Sequence, residues 1–138
     1  MEIRPLEPAD RADAVALWHR TGITRPWNPP EADFDRAAGG VSSTVLGVLD
    51  DGRLVATAMV GHDGHRGWVY YVAVDPDRQT SGVGRKVMEA AEGWVRAAGV
   101  PKIQLMVRSD NDAARGFYEA LDYDVEDTRV LSRRLEDA

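Results

Sequence analysis

The first half of the chain alternates apolar and polar residues in the way that is typical of β-strands. Residues 1–6 alternate, and residues 41–48, 53–61 and 68–74 are rich in β-branched and aromatic side chains. An Asp-Asp-Gly turn separates the second and third of these runs, and Asp-Gly is a strong hairpin signal. The pattern predicts a short strand followed by a three-stranded antiparallel meander.

Apolar residues recur at intervals of three and four positions in several other segments, which predicts helices. The longest of these segments follows Gly82 and ends at Gly99. Shorter ones follow Asp10, cover residues 31–38, and follow a cap at residue 111 or 112. We therefore expect about four helices.

The second half of the chain also contains strand patterns. Residues 102–108 should form a strand parallel to residues 68–74, because a helical crossover connects the two. Val125 and residues 130–135 supply closing strands. We expect one α/β domain over residues 1–138, with a mixed, mostly antiparallel sheet of six or seven strands flanked by the helices.

Composition narrows the class of protein. The chain has no Cys, which excludes disulfides, thiolate metal sites and a Cys nucleophile. Its formal net charge of −6 provides no general basic field, so we expect no nucleic-acid partner, and local groups must bind any anion. No apolar run approaches the ~18 residues of a membrane span. We expect a cytoplasmic protein with no membrane partner.

Residues 72–84, VAVDPDRQTSGVG, combine the end of a strand, a loop with two glycines and the start of a helix. Such an arrangement gathers backbone N–H groups and the positive end of a helix dipole, which favours an anion. A dinucleotide-binding fingerprint would need a third glycine where Val87 stands, and a Walker A loop would need Gly-Lys-Ser/Thr. The loop therefore predicts an anion site of a different kind.

Two motifs carry a resemblance to a known family. Residues 79–84, QTSGVG, match the Q/R-x-x-G-x-G/A motif of the GNAT family of N-acetyltransferases, and residues 111–118, NDAARGFY, resemble its N-x-x-A-x-x-F-Y motif. Within the family, RPWN, DGHRG and PKIQ are similar to a bacterial branch labelled YpeA-type. The chain departs from the family at Thr80, where Gly is frequent, and at Asp122, where Gly is usual.

The resemblance implies the GNAT fold, with fourth and fifth strands that splay apart, and acetyl-CoA as the acetyl donor. The pyrophosphate would lie on the glycine loop, with Arg78 and Lys86 as further cations, and the pantetheine arm along the fourth strand. Tyr118 would be the general acid; its phenol lies two helical turns after Asn111 and so on the same side of the helix. The implied donor-binding residues are Val72, Ala73, Val74, Gln79, Thr80, Ser81, Gly82, Val83, Gly84, Arg85, Asn111 and Tyr118.

The general base stays open, because residues 68–74 contain no carboxylate. The candidates are His65, Asp63 or His62 in the preceding turn, or a water chain held by Tyr70 or Tyr71. The same turn lacks a third protein ligand for a metal, and we expect none.

Two loops supply candidate residues for binding the acceptor. If the two loops flank one slot, the acceptor is bound by Arg25, Trp27, Asn28, Asp63, Arg66, Trp68 and Tyr70. The expected acceptor is a primary amine of a small molecule or a peptide, bound by a monomer or a homodimer. Transfer should be direct within a ternary complex, because no Cys can carry the acetyl group. The alternative is a catalytically silent acetyl-CoA-binding sensor or interaction module.

Overall fold

The structure is a computed structural model that describes residues 1–136, and within them the chain forms five β-strands and four α-helices. Short 3₁₀-helices cover Pro8–Asp10 and Pro76–Arg78. The elements are β1 (Glu2–Pro5), α1 (Arg11–Arg20), α2 (Pro30–Ala37), β2 (Ser43–Asp50), β3 (Arg53–His62), β4 (Gly67–Val74), α3 (Val83–Ala97), β5 (Ile103–Leu105) and α4 (Asp112–Ala120).

The five strands form one sheet in the order β1-β2-β3-β4-β5. The pairs β1–β2, β2–β3 and β3–β4 are antiparallel, and the pair β4–β5 is parallel. The sheet is therefore mixed and mostly antiparallel, as predicted. Asp51 and Gly52 join β2 to β3, with φ values of +52° and +79°. Because both lie in the left-handed region, the Asp-Gly pair suits this hairpin turn.

The prediction of six or seven strands was wrong, because residues 121–136 contain no strand. Val125, Leu131 and Leu135 are 76%, 90% and 91% exposed. Residues 121–126, LDYDVE, do alternate, but their first residues end α4 instead: Asp122 has a left-handed φ of +69°, and the N–H of Tyr123 donates to the carbonyl of Tyr118. Residues 130–135, VLSRRL, contain no period-two stripe that would hold a strand on the sheet.

The chain divides into two compact units, Met1–Met106 and Val107–Ala138. The first unit contains the whole sheet with α1, α2 and α3, and the second contains α4. In the first unit α3 contacts β2, β3 and β4, whereas α1 contacts β3 and β4. Trp18 of α1 and Phe34 of α2 are buried together in one apolar cluster. Among residues 1–136, no helix is long and apolar enough to cross a membrane.

Candidate active site

The fourth strand contains a β-bulge in the segment predicted to bind the donor. Thr57 lies opposite Ala73 and Met59 lies opposite Tyr70, so two residue steps along β3 face three residue steps along β4. Tyr71 accommodates the extra residue with a φ of +50°, a left-handed value that is rare inside a strand. The ladder between β3 and β4 is therefore interrupted at Tyr71 and the residue that follows it.

Pairing between β4 and β5 is limited to the start of β4. Gly67, Trp68 and Val69 lie opposite residues 103–105, and the pairing ends there. The rest of β4, residues 70–74, extends past the end of β5. The bulge therefore lies in a part of β4 that has lost its ladder with both neighbours.

The side chain of Tyr71 forms a hydrogen bond that the sequence did not reveal. Its hydroxyl donates to Oδ2 of Asp33, on α2, over 2.6 Å. The other carboxylate oxygen, Oδ1, forms an ion pair with Arg36. Desolvation and the Asp33 carboxylate together raise the pKa of Tyr71 well above that of an ordinary phenol. Tyr71 therefore stays protonated at neutral pH.

Buried contacts fix the ring of Tyr71 in place. It stacks on the indole of Trp18, with ring centroids 4.1 Å apart and planes inclined by 26°. The indole Nε1 donates to Thr57 Oγ1 over 2.9 Å, and that hydroxyl donates to the carbonyl of Tyr71 over 2.9 Å. Trp18 and Thr57 are fully buried. These hydrogen bonds hold both the backbone and the side chain of the bulge residue.

Asp75 follows β4 directly and fixes the entry into the glycine loop. Its side chain is 1% exposed, and Oδ2 lies 2.6 Å from Arg20 Nη2 and 3.3 Å from Arg53 Nη2. Oδ1 accepts a hydrogen bond from the N–H of Asp77. The hydrogen bond from Arg20 is the main reason that the pKa of Asp75 lies below its usual range. The loop thus begins at a carboxylate anchored to both α1 and β3.

The glycine loop is exposed and contains two left-handed residues. Thr80 has a φ of +74° and Gly82, the N-cap of α3, has a φ of +85°. The N–H of Lys86 donates to the carbonyl of Gly82 over 3.1 Å and is the first intrahelical bond at this end. The N–H groups of the preceding helical residues have no partner of this kind and are available to an anion.

Charges around the loop also favour an anion. The first turn of α3 contains no acidic residue, and it contains Arg85 and Lys86, both exposed. Cations at a helix N-terminus oppose the helix dipole, and a bound anion relieves that repulsion. Arg78, predicted to be a third cation for the ligand, instead forms an ion pair with Asp50.

In the second unit, α4 presents the second motif. Asn111 is its N-cap, and the side-chain oxygen accepts a hydrogen bond from the N–H of Ala114 over 3.0 Å. Tyr118 makes edge-on contacts with Phe117 and Tyr123, at centroid distances of 5.0 and 5.8 Å. Burial raises the pKa of Tyr118 to about 12. The phenol is therefore protonated at neutral pH, as a hydrogen-bond donor must be.

The turn between β3 and β4 uses its polar side chains for its own conformation. Oδ1 of Asp63 accepts from the N–H groups of His65 and Arg66, both over 2.8 Å. The backbone hydrogen bond from Arg66, followed by that from His65, lowers the pKa of Asp63, which weakens it as a base. His62 Nδ1 accepts from the N–H of Gly64 over 3.1 Å. Among residues 1–136, no three His, Cys, Asp or Glu side chains are grouped so that they could hold a metal.

The proline-rich loop before α2 is irregular, as its composition predicts. Arg25 Nη1 donates to the carbonyls of Gly22 and Thr24, and residues 25 and 28 form an isolated bridge. Trp27, at the tip, is 53% exposed. Of the remaining acceptor candidates, Trp68 is half-buried and Tyr70 is 44% exposed. Their roles toward an acceptor stay predictions.

Comparison with known proteins decides the family. Residues 12–123 match the model described as the Acetyltransferase (GNAT) family. The chain belongs to the GNAT family. It is 40% identical over 135 residues to acetyltransferase YE1169 of Yersinia enterocolitica, which covers 98% of this chain and 96% of that one. Acetyltransferase ECA0875 of Pectobacterium atrosepticum is 41% identical over the same length, with the same coverage.

Solved GNAT structures have the same fold. The ribosomal-protein-S18-alanine N-acetyltransferase from Escherichia coli is 29% identical, with a TM-score of 0.75, over 87% of this chain and 75% of that one. Aminoglycoside N-acetyltransferase AAC(6')-Iy, in complex with CoA, is 15% identical with a TM-score of 0.83, over 97% and 94% of the two chains. The family supports acetyltransferase activity, and the second likeness shows the fold alone.

The GNAT motifs led to the glycine loop and to Tyr118 but not to the contact between Asp33 and Tyr71. In the sequence, Asp33 is one of two acidic residues in the first turn of a short helix, where the helix dipole explains it. Tyr71 lies 38 positions later, in a run of strand residues. Only the folded chain brings the carboxylate to the strand that lacks one.

Proposed function

We propose that this GNAT protein transfers the acetyl group of acetyl-CoA to a primary amine of a small molecule or a peptide, directly within a ternary complex. The bulge at Tyr71 is the observation that carries the proposal. It interrupts the ladder on β4 shortly before a glycine loop and a helix N-terminus that favour an anion. Backbone groups freed by a bulge can bind a thioester carbonyl, while the loop binds the pyrophosphate of the same donor.

The proposed donor site follows the two motifs. Residues 72–74 would bind the pantetheine arm with their backbone, and residues 79–85 the pyrophosphate with N–H groups and the Arg85 guanidinium. The solved GNAT structure in complex with CoA supports CoA as the ligand class. For Asn111, already the cap of α4, and for Tyr118, the proposed donor-binding role rests on the second motif alone.

Tyr118 is proposed to donate a hydrogen bond to the departing sulfur. Its pKa of about 12 lies well above the ~8.5 of an ordinary thiol, so permanent proton transfer to the thiolate is unfavourable. A hydrogen bond from the phenol still stabilises the negative charge that develops on sulfur as the C–S bond breaks.

Two relatives by fold indicate the acceptor class. One is named for an aminoglycoside and the other for an alanine of ribosomal protein S18. Aminoglycosides carry primary amines, and alanine has a primary amino group. We therefore propose an amine acceptor, with the loop before α2 and the turn before β4 as the segments that would select it.

The test is acetyl-CoA turnover against a panel of amines, measured as free thiol released to a chromogenic disulfide. The protein contains no Cys, so it contributes no background. Tyr118→Phe should lower kcat about 10²- to 10³-fold, the usual cost of removing one hydrogen-bond donor to a developing negative charge, and leave the Kd for acetyl-CoA within about twofold. Tyr123→Phe removes a phenol from a ring in contact with Tyr118 and should retain activity. Equal rates for all three proteins would remove Tyr118 from this role.

A catalytically silent acetyl-CoA-binding sensor is the second candidate. The absence of a carboxylate from β4 favours it, as does the commitment of the Asp63 carboxylate to its own turn. Tight binding of acetyl-CoA by calorimetry without turnover of any amine would select the sensor. Failure to bind acetyl-CoA would refute both functions.

A further inference from the structure

We propose that Tyr71 and Asp33 form the site at which the acceptor amine binds and loses its proton. Tyr71 Oη would accept the proton of the ammonium group while its own proton passes to Asp33 Oδ2. This inference rests on the acetyltransferase function proposed above and gives that reaction the base that the strand sequence does not supply.

The geometry of the pair suits a proton relay. The Oη to Oδ2 distance of 2.6 Å is that of a charge-assisted hydrogen bond from a hydroxyl to a carboxylate. Because the phenol proton is directed at Asp33, the lone pairs of Oη can accept an N–H from a ligand. Hydrogen bonding to a carboxylate also polarises the phenol and makes its oxygen a better acceptor.

The position of the pair places it beside the proposed reaction. Tyr71 is the bulge residue itself, and the next residue, Val72, begins the segment proposed to bind the donor. A left-handed φ at a residue other than glycine costs about 1–3 kcal/mol, and such strain is retained mainly where the surrounding structure enforces it. Here the stacking on Trp18 and the hydrogen bond from Thr57 hold Tyr71 in the left-handed conformation, so the phenol is preorganised before a ligand binds.

The charges around the pair define what it can bind. Arg36 and Tyr71 are the ionisable groups that contact Asp33, and Arg36 is itself 70% exposed while Asp33 is 20% exposed. Because Arg36 is exposed, water screens its ion pair, and the less exposed carboxylate of Asp33 can still attract a second cation, which suits an amine that arrives as ammonium. Because the pKa of Tyr71 is raised, the phenol acts by passing a proton on rather than as a phenolate.

The reaction balances with one proton left on the protein. The ammonium gives its first proton to Tyr71 Oη as the phenol proton moves to Asp33. The lone pair of the neutral amine then forms the C–N bond to the thioester carbonyl carbon. The C–S bond breaks with its electron pair moving to sulfur, and the second nitrogen proton moves to that sulfur as the amide forms. Asp33 returns its proton to water.

The experiment uses the full chain with acetyl-CoA and an amine panel of an aminoglycoside, a polyamine, an amino-acid ester and a peptide with N-terminal alanine. Tyr71→Phe and Asp33→Asn are compared with Asp35→Asn, which alters an exposed carboxylate on the same helix that pairs with Arg11. At pH 7 we expect kcat/KM to fall about 10²- to 10⁴-fold in the first two variants, and to stay within about twofold in the third. The Kd for acetyl-CoA should be unchanged in all of them.

The pH profile separates a relay from a structural role. An amine becomes increasingly neutral as the pH rises towards its pKa, which is about 10.4 for an alkyl amine such as that of a polyamine and about 7.7–8.0 for the α-amino group of a peptide. The deficit of Tyr71→Phe and Asp33→Asn should therefore shrink towards pH 10 with the polyamine and at a lower pH with the peptide. Asp33→Glu should recover part of the lost activity. A deficit that is equal at every pH, in variants whose melting temperature matches wild type, would overturn the proposal. Unchanged kcat/KM in Tyr71→Phe and Asp33→Asn would also overturn it. If these two variants do not fold, an Asp33→Glu variant that is stable but inactive would overturn it as well. Wild type that acetylates no amine would instead refute the proposed function, and this inference with it.

Discussion

Thr80 allows a direct test of the conformation of the glycine loop. Its φ of +74° is left-handed, which costs a residue with a Cβ about 1–2 kcal/mol, and a β-branched residue lies at the upper end. Thr80→Gly removes that strain but adds about 0.5–1 kcal/mol of backbone entropy to the unfolded state. We therefore expect a net stabilisation of about 1–1.5 kcal/mol, which for a chain of this length raises the melting temperature by about 3–5 °C.

The assay is thermal and urea unfolding of a graded series at this position. Thr80→Asn should lie between Gly and Thr, because Asn tolerates the left-handed region better, and Thr80→Val should resemble wild type because it keeps the branched Cβ. Asp122, with a φ of +69°, is the matched site in the second unit, and Asp122→Gly should gain somewhat less because Asp is not β-branched. A Thr80→Gly variant less stable than wild type, or a Thr80→Val variant that is the most stable of the series, would show that the left-handed φ of Thr80 does not strain the loop.

Two further predictions concern the scaffold of the first unit. Arg20 lowers the pKa of Asp75, so the ion pairs of Asp75 should stabilise the fold above the unfolded pKa of ~3.9, and this stabilisation should be lost as the pH falls through the lower folded pKa. Asp75→Asn should therefore be less stable at pH 7 and lose less stability in acid unfolding curves. A variant with the wild-type pH profile would contradict this prediction. A Cβ at Gly67 would lie 2.6 Å from Val95 Cγ2, so Gly67→Ala should lower the free energy of unfolding by about 1–3 kcal/mol, measured with urea. The double variant Gly67→Ala/Val95→Ala should lose less stability than the sum of the two single variants. Strict additivity would show that this contact is not the cause.

The features predicted correctly are those whose cause lies within a few residues. The hairpin followed from Asp-Gly, because both residues must be left-handed in that turn. The helix after Gly82 followed from a regular apolar stripe, whose members Val83, Val87 and Ala91 are fully buried. The family followed from the motifs at residues 79–84 and 111–118, because each motif is contiguous in the sequence.

The features that the sequence did not predict arise from pairing between distant segments. The bulge at Tyr71 depends on the register of β4 against β3, which no residue of β4 signals by itself. The prediction of a closing strand at residues 130–135 was wrong because these residues include strand formers but do not alternate between apolar and polar, so no apolar face can pack on the sheet. Asp33 is placed by the packing of α2, a tertiary effect with no local signal.

The two sides of the proposed reaction are therefore encoded differently in the chain. The proposed donor groups lie in two short contiguous segments, so on this proposal a change of donor chemistry would alter the motifs themselves. The acceptor groups come from α2 and from the bulge, and α2 begins at Pro30 directly after the proline-rich loop that carries Trp27. A change in the length or composition of that loop would move Asp33 and the exposed Trp27 together while the glycine loop stayed as it is. On this argument, exchanging residues 23–30 with those of another GNAT protein should shift which amine is acetylated and leave the Kd for acetyl-CoA within about twofold; a loss of acetyl-CoA binding in a folded variant would show that the two sides are not separable.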